Sequence, residues 1–122
     1  MANVFFDVQG TLLTMEEVPR PRAREAFLIL KEKGHAVYLW SSGGAGYAAT
    51  AAELLEVADL VSGYFGKREE PDVPVDFAVD DASVVEAHGG HRIKPFDGDP
   101  GDEELLRAAE AVGTTRFNSR SW

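Results

Sequence analysis

Asp7 sits inside VFFDV (Val4 to Val8), a run short, apolar and β-prone enough to be a strand buried on both faces. A carboxylate in such a strand is costly unless it is paired or holds a cation. Two more carboxylates, Asp80 and Asp81, end a second apolar run, VDFAV (Val75 to Val79). If the two strands are neighbours, three negative charges converge, and they either raise one another's pKa or recruit a hard divalent cation. Magnesium suits such a set, because it takes oxygen ligands and needs only one or two carboxylates beside a substrate phosphate. Capping offers the plainer account, with Asp7 closing a turn and Asp80-Asp81 opening a helix, but it leaves unexplained an Asp so deep in an apolar run. Gly10-Thr11 follows at once and lets the backbone turn its N–H groups toward an anion. Ser41-Ser42 and the glycines after them end AVYLW (Ala36 to Trp40), which suits either a phosphate pocket or an ordinary helix start. Lys67, ahead of the VDFAV run, is either a cation for that phosphate and for Asp7 or a solvated lysine beside Arg68 and Glu69.

Strands and helices alternate along the rest of the chain. Pro21 suits a first helical position, Ala23, Ala26, Phe27 and Leu30 recur at helical spacing, and Gly34 stops the helix. A second helix carries Tyr47, Ala51, Leu54 and Leu55, and DLVSGYF (Asp59 to Phe65) holds the third strand. Gly89-Gly90 closes a short helix, and HRIK (His91 to Lys94) is a fifth strand. Asp102 caps a last helix bearing Leu105, Leu106, Ala109 and Val112, with Gly113 as its terminator. Strands apolar at nearly every position imply a mostly parallel sheet covered on both faces, a three-layer α/β/α Rossmann-like domain of five strands. Such sheets carry their chemistry just beyond the carboxyl ends of the strands, where Asp7, Gln9, Ser41, Ser42, Asp80 and Asp81 fall. Trp40 should face away from Ser41, under a helix. Arg20, Arg22 and Arg24 read as a solvated helix face, with Arg20 or Arg22 within reach of an open site. His35, His88 and His91 read as surface or capping residues, and the Phe and Trp of TTRFNSRSW need cover from the core or a second subunit.

Composition narrows the function classes. The 122 residues make one domain, 1–122, and 44% hydrophobic with 27% charged residues excludes a disordered or fibrous chain. Cysteine is absent, which removes disulfides, thiolate zinc sites and Cys nucleophiles. A net charge of −9 repels nucleic acid. No apolar run reaches bilayer-spanning length, and MANVFFDVQG lacks the basic start of a signal peptide, so the expected location is the cytoplasm, without membrane contact.

The run Asp7-Val8-Gln9-Gly10-Thr11-Leu12 resembles the first motif of the haloacid dehalogenase (HAD) superfamily, Asp-x-Asp-Gly-Thr. Ser41 resembles its second motif, with Ser42 the alternative register; Lys67 resembles the third and Asp80-Asp81 the fourth. The resemblance covers nearly the whole chain. It implies a Mg2+-dependent phosphatase in which Asp7 is the nucleophile and passes through an aspartyl phosphate. It also implies that Asp7, Asp80 and the Gln9 backbone carbonyl bind the metal, with Asp81 acting directly or through water. Gly10, Ser41, Ser42 and Lys67 would serve the phosphoryl group. Caps in this family are inserted after the first or third strand, and neither Leu12 to Arg22 nor Ser62 to Pro74 is long enough for one. The resemblance is therefore to the capless branch, with an open site for a phosphorylated small molecule or phosphoprotein, in a monomer or in a homo-oligomer whose neighbouring subunit covers it.

The chain departs from this pattern at Gln9, where family phosphatases carry the Asp that serves as general acid and base. A carboxamide cannot trade a proton near neutral pH. Lys67 is also followed by Arg68 where many relatives have Pro. A non-catalytic phosphate- and Mg2+-binding module on the same fold is the alternative that Gln9 motivates. Lys94-Pro95-Phe96 resembles the Lys-Pro-Phe of bacterial response-regulator receivers. A receiver, however, needs its acidic pair after the first strand and its phosphoacceptor Asp after the third.

Overall fold

The computed structural model describes residues 1–82 and 90–114. In chain order it contains β1 (Asn3–Asp7), α1 (Ala23–Glu32), β2 (Ala36–Ser41), α2 (Ala45–Leu54) and a 3-10 turn (Ala58–Leu60). These are followed by β3 (Gly63–Gly66), β4 (Phe77–Asp80), β5 (His91–Arg92) and α3 (Glu104–Thr114). The strands form one sheet in the order β3-β2-β1-β4-β5, and every pairing is parallel. This is an α/β Rossmann-like fold. The order reverses direction after β3, so β1 is central and its carboxyl end lies at the switch point where such sheets hold their ligands.

Register sorts side chains onto two faces, because neighbours in parallel strands point the same way and successive residues alternate. Phe5 pairs with Tyr38 and Ala78, Asp7 with Trp40, and Trp40 with Phe65. The other face of β1 carries Val4 and Phe6. These pack with Val37 and Leu39 of β2, Phe77 and Val79 of β4, Ala26, Phe27 and Leu30 of α1, Ala48, Ala51 and Ala52 of α2, and Leu105, Ala108 and Val112 of α3. All three described helices therefore lie on one face. The alanines of α2 let that helix approach β2 and β3 closely. On the second face Phe5 stacks on Tyr38 at 4.9 Å and packs against Trp40 at 4.9 Å, with Val73 and Val75 of the β3–β4 connection against them. The helix expected before Gly89-Gly90 lies outside the described residues, as do His88 and the last eight residues.

Several boundaries move from their expected places. α1 begins at Ala23 after Arg22, which takes a left-handed backbone (φ 73°), so Pro21 stands before the helix. Gly113 lies inside α3, which runs on to Thr114. β3 starts later than expected because residues 58–60 form a 3-10 turn, and β5 keeps two residues while Ile93 donates its N–H to the Asp80 carbonyl at 2.9 Å. β4 extends to include Asp80. Asp102 does cap the last helix, its Oδ1 accepting from Glu104 N–H at 3.0 Å. No helix among the described residues is long and apolar enough to cross a membrane.

Candidate active site

The carboxyl ends of β1 and β4 place Asp7 and Asp80 side by side, 7% and 6% exposed, with half-buried Asp81 next in the chain. Oxygens from all three lie within 4.8 Å of one another. Lys67, just past β3, reaches across β2, and its Nζ is 2.9 Å from Asp7 Oδ1 and 2.6 Å from Asp80 Oδ2. The lysine is held there by its own backbone, since its N–H donates to the Ser41 carbonyl at 2.9 Å.

Electrostatics follow from this crowding. Burial pushes the Asp7 carboxyl up to about 6; Lys67 opposes the rise, while the charges of Asp80 and Asp81 add to it. Burial also works on Asp80, but hydrogen bonds from Lys67 and from the Ala82 N–H (3.0 Å) hold its carboxyl below the usual range. Asp81 is raised by burial and by its hydrogen bond and charge contact with Asp80. Lys67 loses hydration, yet its bonds to Asp80 and Asp7 keep its pKa above the ordinary lysine value. With all four groups ionised the cluster carries three negative charges and one positive, a surplus of two.

That donor set fits a hard divalent cation. All three donors are carboxylates, which Mg2+ prefers.

The turn after β1 is built to let Asp81 approach. Val8 carbonyl accepts from Leu12 N–H at 2.8 Å and Leu13 N–H at 3.1 Å, folding the chain back on itself. Gly10 holds φ +85°, and a Cβ on it would lie 2.6 Å from Asp81 Oδ2. Its N–H donates to the Leu13 carbonyl and Thr11 N–H to the Val8 carbonyl, so here both are engaged within the turn and not aimed at an anion. Thr11 Oγ1 donates to Asp7 Oδ2 at 3.3 Å.

The other expected residues are placed less centrally. Ser41 is buried, and its hydroxyl accepts the Gly43 N–H at 3.0 Å; no hydrogen bond among the described residues joins it to the carboxylates. Register puts its side chain on the face of Leu39, opposite Asp7. Ser42 is exposed, and Gln9 lies half-buried in the turn. Trp40 does face away from Ser41, but what it packs against is Phe5 and the β3–β4 connection, not one of the described helices.

Arg20 overturns the expectation of a solvated residue. It precedes α1 and is 2% exposed, paired with Asp102 through both Nε (2.8 Å) and Nη2 (2.9 Å). Its Nη1 donates to the Thr11 carbonyl at 3.1 Å, and its guanidinium lies 5.3 Å from the Phe96 ring centroid. Phe96 N–H in turn donates to the Gly10 carbonyl at 2.9 Å. The turn that carries the site is thus pinned from behind at both Gly10 and Thr11. The prolines flanking Arg20 were the available signal, since they argue against a helical surface position for it. Arg22 and Arg24 are exposed as expected, pairing with Glu25 and Asp59.

No family model matches the chain, and no curated protein matches it. Among solved structures the chain is similar to the D,D-heptose 1,7-bisphosphate phosphatase from Burkholderia thailandensis, at 18% identity. The match covers 93% of this chain and 98% of that one, with a TM-score of 0.41. A likeness this distant says nothing about activity, which has to be read from the site itself.

Proposed function

We propose that the chain is a Mg2+-dependent, HAD-like phosphatase that transfers a phosphoryl group to Asp7 and then to water, at a rate lowered by Gln9. The observation that carries this reading is the gathering of three carboxylates around a single ammonium at a strand switch point. Asp7, Asp80 and the Gln9 carbonyl would hold the ion, with Asp81 beside them. Bound there, Mg2+ supplies positive charge against the phosphoryl oxygens.

The residues supply the rest. An ionised Asp7 oxygen attacks phosphorus, the bond from phosphorus to the ester oxygen breaks, and the alcohol leaves. Lys67 offsets charge on the phosphoryl oxygens during this transfer. Water then attacks the aspartyl phosphate, releasing phosphate and restoring Asp7. Both halves require a proton to move, onto the alcohol first and off the water second, and Gln9 can do neither. Solvent must serve, which favours leaving groups that need no proton, such as acyl phosphates.

Steady-state hydrolysis of a simple phosphate ester tests the reading. Gln9→Asp should raise the Mg2+-dependent rate by about 10²–10⁴-fold, the usual worth of a general acid–base. Asp7→Asn should abolish it. An unchanged rate in both variants would remove Asp7 as nucleophile.

The second reading, a phosphate- and Mg2+-binding module without turnover, is favoured by Gln9 alone. Tight Mg2+ and phosphate binding with no hydrolysis of any ester, even in Gln9→Asp, would select it.

A further inference from the structure

Next to Lys67, on the face of the sheet that carries Trp40, lies a cavity of about 670 Å³. That volume falls in the range of small-molecule sites. Trp40 forms one wall and the β3–β4 connection the other, with Lys67 at the junction with Asp7. The juxtaposition is fixed by register, because Asp7 and Trp40 are Cα partners on adjacent strands. Lys67 lines the cavity and reaches Asp7, so a phosphate held at these two residues has this space next to it.

The wall is acidic and aromatic. Glu69, Glu70 and Asp72 line the cavity, and the Glu69 carboxylate is anchored by the Gly66 N–H at 2.8 Å. The one lysine of the lining has its charge taken up between Asp7 and Asp80. Val73 and Val75 supply apolar surface below Trp40. An aromatic wall with carboxylates around it attracts an organic cation and repels an anion.

We infer that this cavity receives the alcohol portion of the substrate and selects phosphate monoesters whose alcohol carries a positive charge, a primary amine or quaternary ammonium, over neutral and anionic ones. The inference rests on the proposed phosphatase reading and names the substrate class of that same site.

Calorimetric titration of the Mg2+-loaded protein with O-phosphoethanolamine, phosphocholine, glycerol 3-phosphate and phosphoglycolate tests it without requiring turnover. The two cationic esters should bind about ten-fold more tightly than glycerol 3-phosphate, the scale expected of two or three exposed charge contacts and a cation–aromatic contact together. Phosphoglycolate should bind most weakly. The double variant Glu70→Gln, Asp72→Asn, at exposed positions away from the carboxylate cluster, should lower the preference to about three-fold. Equal, Mg2+-dependent binding of all four esters would overturn the selectivity and leave the phosphatase reading standing. Binding of none of them, with or without Mg2+, would overturn both.

Discussion

Gly10 and Asp81 are mutually dependent: the Asp81 carboxylate occupies the space that a Cβ on Gly10 would take, 2.6 Å from Oδ2. Gly10 serves the site by making room. Its φ of +85° adds a second reason why no other residue fits, since a left-handed backbone costs an L-residue about 1–2 kcal/mol. Gly10→Ala should lower stability by at least that amount and weaken Mg2+ binding more than ten-fold, by pushing Asp81 away from Asp7 and Asp80. Calorimetric Mg2+ titration with a parallel urea melt checks both. Wild-type affinity in the variant would mean that Asp81 is not needed where it lies.

Asp7 makes the metal-free protein pay a pH-dependent penalty. Its folded pKa of about 6 lies above the ordinary value of 3.8, so between these pH values the folded state binds more protons than the unfolded one. Stability contributed by this group is therefore full below pH 3.8, falls as pH rises, and levels off above about pH 6. A shift of this size corresponds to about 3 kcal/mol. Asp7→Asn removes the dependence, so the difference between wild type and variant in urea melts without Mg2+ should open across that window. A constant difference would show that Asp7 titrates normally.

The Arg20–Asp102 pair should behave as a buried ion pair does. Removing one partner strands the other charge, so Arg20→Met or Asp102→Ala should each cost about 3–5 kcal/mol. The double variant Arg20→Met, Asp102→Ala should cost clearly less than the sum. Although burial opposes it, the bonds from Arg20 and from the Glu104 N–H hold the Asp102 carboxyl below its ordinary value. Its stabilisation is thus present above the ordinary carboxylate pKa and is lost as pH falls through the lowered one. Additive effects in a double-mutant cycle would contradict the pairing.

Asp7, Asp80 and Asp81 are legible in the chain because apolar runs mark strands, and charged residues in or at the ends of such runs have few physical excuses; Lys67, in a loop, reads equally well as a solvated lysine until the family resemblance is considered. The sheet was legible for the same reason. Ser41 shows what position along the chain leaves out. It ends its strand as expected, but two-residue alternation and the pairing of Asp7 with Trp40 turn its side chain to the opposite face. Register between strands is a tertiary quantity, and no local pattern states it. Arg20 is not legible in the same way, because an arginine's burial depends on its partner, here 82 residues away. The acidic cavity wall was equally hidden, since Glu69, Glu70 and Asp72 read as loop charges until Trp40 and Lys67 are set beside them.

Incubating the protein with Mg2+ and acetyl phosphate, quenching in acid and mapping the product by mass spectrometry tests the central assignment most directly. The arrangement predicts a phosphoryl adduct on residue 7, absent with EDTA and absent in Asp7→Asn. An adduct on another residue, or one formed equally well without divalent ion, would contradict it.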